Sequence, residues 1–529
     1  MRDAIKRIPN NPDLDILLQQ ILLASQKPED ANLRPLADAF AKHPNPAIAK
    51  RAEVFRAMSA AQENKALNNV ESLNKLASDF ADDAATQLFV GRRLLSLEPE
   101  RQIGAAAELL RAAAARFPGD PGIQELATKS LIETGQWEQA LVTANAWSAL
   151  SRQPDANLAI AEAHSALNRP KLAVEAVKGF TLPATFSDSN TDQLSLGVLN
   201  VRVRAAMAQG ESPAALSMIT PYLAGDTPGS SAVRTRIALP AAASLTADLK
   251  QFEIWIAAIS PRLDSKSAAE QLALANTYAA AAARPKFDAP ALAARSAAAA
   301  QAALSLEPAS VPALTALARA QIIQVRSAES GGPGANAQAN RTAAATTVRQ
   351  LAAAPGQSTS SILEIASLAE QLSDFDAAIG LYERHLASPQ VPTGFALAVA
   401  KNNLAFLLLQ QSAATGKPEL LTKAKVMIEE ALKLSEIAPF LETLGAIDAA
   451  MNQPKAAIDA YRRALKLSPD SLASKVGLAS ALSEGTPAEQ AEATRIIGDI
   501  DAQARPQGSL SDKRLKQVEA TRQRLGQPK

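Results

Sequence analysis

Leu441-Glu442-Thr443-Leu444-Gly445-Ala446-Ile447-Asp448, followed by Ala457, Tyr461, Ala464 and Pro469, is the stretch whose reading decides the fold. Leu441, Leu444 and Asp448 stand at i, i+3 and i+7, so they share one face of a helix. Gly445 and Ala457 are small where the two helices of a hairpin come closest. Helices that pack ridge into groove at about 8–10 Å need small residues at that contact. Tyr461 and Ala464 continue an apolar stripe along the second helix. Pro469 ends that helix, because it donates no backbone hydrogen bond and disfavours helix at the residue before it.

The same chemistry recurs in phase along the chain. Asp374-Phe375-Asp376-Ala377-Ala378-Ile379 with Tyr382 repeats the turn and second helix. Gly135 and Ala140 have the spacing of Gly210 and Ala215. Ala303-Leu304-Ser305-Leu306-Glu307-Pro308 matches Ala464 to Pro469, and Ala113 to Pro118 and Ala39 to Pro44 close two more copies. This resembles the 34-residue tetratricopeptide repeat. The resemblance implies an all-α, right-handed superhelix, an α-solenoid of about thirteen antiparallel helix hairpins. The family usually has aromatics where Leu441 and Asp448 stand, so this copy is expected to pack less tightly.

Composition agrees with an array. At 529 residues the chain exceeds one ordinary core. Hydrophobic residues make up 47% and aromatics only 4%, so much of the apolar share is Ala, the best helix former. A net charge of +1 argues against binding nucleic acid through global charge. The absence of Cys excludes disulfides, thiol catalysis and cysteine-ligated metals. No apolar run is long enough to span a membrane; Ile16 to Ala24 is short, broken by Gln19 and Gln20, and reads as a repeat helix.

Four segments are expected: 1–180, a repeat array beginning in mid-repeat; 194–354, a degenerate array with inserted loops; 355–502, a further array; and 503–529, a basic capping helix. Ala4 to Pro9 has the spacing of Ala464 to Pro469 without a helix before it, which suggests a start inside a longer array. A native start at Met1 implies the cytoplasm; a missing upstream signal implies the cell envelope or periplasm. Segments 46–80, 230–262 and 471–502 are degenerate. Thr181 to Asp192 reads as a loop where the array bends. Ala283 to Pro290, Ser327 to Asn340 and Gln411 to Pro418 read as insertions between the helices of their hairpins, the second as flexible low complexity. The run Gly331-Gly332-Pro333-Gly334 lacks the Gly-Lys-Ser/Thr ending of a phosphate loop. After Ser511, Lys513, Arg514, Lys516, Arg522, Arg524 and Lys529 outnumber Asp512 and Glu519, and Leu510, Leu515, Val518 and Leu525 give an apolar side. That suits a cap for the exposed end of a solenoid, or a basic contact to an acidic partner or anionic lipid.

No catalytic, cofactor or metal motif is present. His43, His164 and His385 lie in separate repeats and read as structural. In the repeat family, ligands lie on the concave face made by the first helices. The phase places Lys129, Arg204, Asn276, Arg319, Asn402 and Phe406 there. Asn402-Asn403-Leu404-Ala405 resembles the family's Asn-Leu-Gly/Ala run, and an Asn amide can hold a peptide backbone by donating and accepting together. The family's carboxylate clamp is not expected, because Pro439 and Thr443 stand where it needs basic residues. The expected function is a noncatalytic scaffold for a protein or peptide partner. The alternatives are an assembly or secretion factor of a bacterial cell envelope, and a regulatory repeat region separated from an upstream enzyme domain.

Overall fold

The computed structural model describes residues 33–49, 51–63, 70–97, 102–187, 192–330, 335–354, 359–387, 394–504 and 512–526, together with Asp13 and Ile16. Among them the chain is all-α, with successive helices joined into antiparallel hairpins and no strand. The half-helix expected at Ala4 to Pro9, most of Ile16 to Ala24, and Gly331 to Gly334 lie outside the described residues.

A single turn builds five of the hairpins. Gly135, Asn168, Gly210, Ser373 and Asn452 each adopt a left-handed backbone, with φ between 56° and 79°. The next N–H in each case reaches back to the carbonyl five residues earlier: Gln136 to Leu131, Arg169 to His164, Glu211 to Ala206, Asp374 to Ala369 and Gln453 to Asp448. This satisfies a carbonyl that the ending helix leaves open. Glycine adopts the left-handed conformation freely, and Asn tolerates it. Five residues beyond each turn stands a fully buried alanine: Ala140, Ala173, Ala215, Ala378 and Ala457. Turn chemistry and packing thus share one register.

Side chains also tie one hairpin to the next. Gln87, at the start of helix Ala84–Leu95, donates to the carbonyls of Ala77 (2.8 Å) and Phe80 (3.1 Å). Gln124, in helix Pro121–Glu133, does the same to Ala114 (2.9 Å). Each stands four residues after an N-capping aspartate, Asp83 or Asp120. The Gln satisfies open carbonyls at the end of the preceding helix, and the Asp satisfies open N–H groups at the start of the next.

The chain forms two compact units, residues 1–287 and 288–529. In the first, the regular pattern gives way after helix Ser212–Leu223 to a short helix Pro228–Ala232, a π-helical turn Val233–Ala238 and helix Leu239–Leu245. Here Arg234 is buried against Glu270 of helix Ala268–Ala282, with Nη2 2.6 Å from Oε1. Arg234 Nη1 donates to the carbonyls of Leu223 (2.9 Å) and Gly225 (2.8 Å). Glu270 Oε2 accepts from the Asp264 N–H at 2.7 Å.

Several expectations change. Ser327 to Ser330 and Ala335 to Asn340 are helical, extending Val311–Ser330 and Ala335–Ala353, and Glu329 pairs with Arg341 between them. The segment from Gln411 likewise lengthens helix Gly394–Thr415, and only Gly416 to Pro418 form the turn. Two neighbouring helices that lengthen together keep their contact, so the extra residues add turns of helix instead of a loop. Thr181 to Ser187 is irregular but anchored: Phe186 is buried edge-on against Tyr222 (centroids 4.8 Å), and Gly229 leaves room for its backbone. Asp448, where the family has an aromatic, is buried, with the Lys425 ammonium 2.9 Å away.

Candidate functional site

In residues 288–529, helices Gly394–Thr415, Ala438–Ala450 and Leu472–Leu482 are the first helices of successive hairpins and pack side by side. Helix Asp512–Arg524 lies next in the row, against Leu472–Leu482. Along this row runs a groove of about 560 Å³. One end is lined by Phe406, Leu409, Gln410 and Ala413, the middle by Pro439, Glu442, Thr443, Ala446, Ala473 and Gly477, and the other end by Arg514 and Gln517. Tyr461 reaches the groove floor from the second helix Pro454–Leu467.

Small residues open this floor. A methyl group built on Gly445 would stand 2.8 Å from the Tyr461 ring, and one on Gly477 2.3 Å. The ring therefore lies between two helices that lack side chains where it passes. Tyr461 and Gly477 also line a second cavity of about 220 Å³ bounded by Gln517 and Arg524. Burial pushes the Tyr461 phenol above its ordinary range, and the carboxylates of Glu442 and Asp448 add to the effect. The hydroxyl stays protonated, a donor at neutral pH.

The acidic group of the groove is already engaged. Glu442 Oε1 accepts from Ser474 Oγ at 2.7 Å and from Ser471 Oγ. The basic group is not. Arg522 pairs with Asp501 and Arg524 with Glu484 (3.0 Å), whereas exposed Arg514 has no ion-pair partner among the described residues. The C-terminal helix is held by buried Val518 and Thr521 and by partly buried Leu525; Leu515, expected on its apolar side, is 45% exposed.

Of the six residues read from the sequence, Phe406 lines this groove and is 45% exposed. Asn402, one turn earlier, is partly buried, and its Nδ2 donates to Asn403 Oδ1 at 3.3 Å. Asn403 Nδ2 donates to the Tyr382 hydroxyl (3.1 Å), which also bonds Glu370. Burial raises the pKa of both Glu370 and Tyr382. The Asn402 Oδ1 is buried with no hydrogen-bond partner among the described residues. Arg319 is exposed and pairs with Glu364.

The other three belong to residues 1–287. Lys129 pairs with Glu125 at 2.5 Å, and its ammonium lies 5.6 Å from the Trp147 ring centroid. Arg204 is exposed; its charge opposes the rise that burial causes in the Glu162 pKa. Asn276 is exposed. His43 contacts Asp13 at 3.0 Å, His385 is buried, and burial lowers the pKa of His164.

The sequence reading did not place Gly477, Ala473 or Arg514 at this groove. Gly477 carried little signal, since the residue in phase with Gly445 one 34-residue repeat on is Ala479, and Gly477 stands two positions before it. Arg514 was legible as one charge of a basic C-terminal helix suited to a cap or an acidic partner, but only tertiary packing brings that helix beside the groove. Among the described residues no three acidic or imidazole side chains are placed to hold a metal ion, and no helix is long and apolar enough to cross a membrane.

No family model and no curated protein matches the chain. Among solved structures it is similar to yeast Tom70, at 13% identity over 90% of this chain and 95% of that one, with a TM-score of 0.31. It is also similar to human IFIT1, solved as a dimer with PPP-AAAA, at 14% identity over 87% and 94% of the two chains and a TM-score of 0.31. A third is the TPR domain of P58(IPK), at 14% identity over 79% and 99% and a TM-score of 0.21.

Proposed function

We propose that this chain is a noncatalytic protein-interaction scaffold and that a peptide segment of its partner lies in the groove floored by Tyr461. Phe406 carries the reading. It is a large aromatic left 45% exposed on the row of first helices, at one end of a groove floored by the Tyr461 ring and lined beside it by Ala446, Ala473 and Gly477. Aromatic anchors in such settings dominate interface energetics. Asn402 stands one turn before Phe406 on the same helix; its amide oxygen is buried without a partner among the described residues, so a turn of the side chain is needed to bring it to a backbone N–H of the same segment.

The test pairs binding with stability. Phe406→Ala and Asn402→Ala are each used in affinity capture with mass spectrometry and in thermal melts. Partners lost by Phe406→Ala at an unchanged melting temperature support the reading. A lowered melting temperature for Phe406→Ala, with Asn402→Ala silent in both assays, returns both residues to structural roles.

A further inference from the structure

We infer that the partner segment is acidic at one end and apolar at the other, and that Arg514 selects the acidic end. The inference rests on the groove reading above and adds the charge of the occupant. The two ends of the groove differ in kind. Phe406, Leu409 and Ala413 offer apolar surface at one end, and Arg514 offers an unpaired guanidinium at the other. The carboxylate between them, Glu442, accepts from two serine hydroxyls and keeps its negative charge, so it disfavours an acid in the middle of the groove and leaves the Arg514 end as the place for one. The other two arginines of the C-terminal helix are spent on Asp501 and Glu484, while Lys516, near Arg514, is exposed. Arg514 is therefore the free positive charge that this helix presents to the groove, since Lys516, about 200° round the helix, is not among the lining residues. A guanidinium matches a carboxylate with two parallel hydrogen bonds, a geometry an amide or an ammonium does not reproduce.

The spacing follows from the row of helices. Packed helices lie about 8–10 Å apart, so the three steps from the Phe406 helix to the Arg514 helix come to at most about 30 Å. An extended chain crosses that distance in about nine residues at about 3.3 Å each.

The test uses the full chain and fluorescein-labelled, amidated peptides of about twelve residues, long enough to cross the groove when extended. Each carries Phe near one end and a pair of Asp, Asn or Lys near the other, in both chain directions. A further peptide replaces the Asp pair by a free C-terminal carboxylate, which separates an acidic side chain from a chain terminus. Fluorescence polarisation should show the Asp peptide binding about two- to fivefold more tightly than the Asn peptide, the range for one exposed ion pair, with the Lys peptide weakest. Arg514→Gln should erase that preference and leave the Asn peptide unchanged, and Arg514→Lys should keep part of it. Phe406→Ala should weaken all the peptides together. Equal binding of the Asp, Asn and Lys peptides, or a preference that survives Arg514→Gln, overturns the inference and leaves the groove reading standing. Failure of every Phe-bearing peptide to bind overturns the groove reading and this inference with it.

Discussion

The hairpin 438–467 and the irregular segment 212–284 fasten helices by opposite means. Around Tyr461 the work is done by shape: one ring, two glycines facing it, and Ala457 and Ala464 with no accessible surface. Around Arg234 it is done by charge and hydrogen bonds. The guanidinium holds Glu270 and two carbonyls, Trp255 Nε1 donates to Ser212 Oγ at 2.9 Å, and Arg284 reaches Ala243 O (3.2 Å) and Thr246 Oγ1 (3.1 Å). The difference teaches what a repeat needs. Where small residues occur in phase, helices meet directly. Where the phase is lost, as at the π-helical turn 233–238, backbone groups lie open and long polar side chains must reach them.

The largest expected effect tests the polar half. Glu270→Gln leaves the Arg234 charge buried and unneutralised, which should cost about 3–5 kcal/mol in chemical denaturation. Hydrogen exchange should quicken through residues 212–284. A loss below 1 kcal/mol would show that the two carbonyl contacts of Arg234 suffice without Glu270, and would remove the contrast.

A middle-sized effect tests the apolar half. Gly477→Ala places a methyl group against the Tyr461 ring. Overpacking costs about 1–3 kcal/mol, against a gain in helix propensity of about 1 kcal/mol. The net loss should be largely relieved in the double variant with Tyr461→Leu, since the clash is with the ring. Additive losses in that cycle would mean that Gly477 is there for some reason other than Tyr461.

Burial, more than pairing, should separate two similar ion pairs. Arg319 and Glu364 are both partly exposed, so Arg319→Ala should shift stability by no more than about 0.5 kcal/mol, against several for the Arg234 pair. A large loss on Arg319→Ala would place that pair in a network and sharpen the comparison differently.

The smallest effect is a pH dependence. Burial raises the Glu162 carboxyl pKa in the folded chain, more than Arg204 lowers it. Between its unfolded and folded values the folded state binds more protons, so this group makes stability fall as pH rises. Glu162→Gln should therefore melt slightly higher than the wild type at pH 7. The gap should close as pH falls through the raised pKa. A gap that widens on acidification would reverse the sign and make Arg204 the dominant neighbour.

Much of the scaffold was legible in the sequence because its determinants are local and repeated. The glycines at 135 and 210 mark turns by their left-handed backbone, and the alanines five residues on mark close contacts. The same turn at Asn168, Ser373 and Asn452 was less visible, since only the backbone shows that non-glycine residues adopt it. The insertions at 327–340 and 411–418 misled because composition suggests loops, whereas a helix continues wherever its neighbour continues beside it.

The candidate site was legible only in part. Phe406 follows from helical phase alone, since an apolar residue off the buried stripe must face outward. Its groove does not follow from phase, because the other walls come from residues up to 111 positions away, Arg514 and Gln517 among them. The buried state of Asp448 escaped for the same reason: its partner Lys425 lies on the preceding hairpin. By itself the sequence determined helices, turns and the register between them, which depend on residues a few positions apart. Tertiary structure alone decided which side chains share a cavity, and which charges are spent and which left free. Those properties depend on helices brought together in space, where burial removes water from a charged group and leaves any pairing to its packed neighbours.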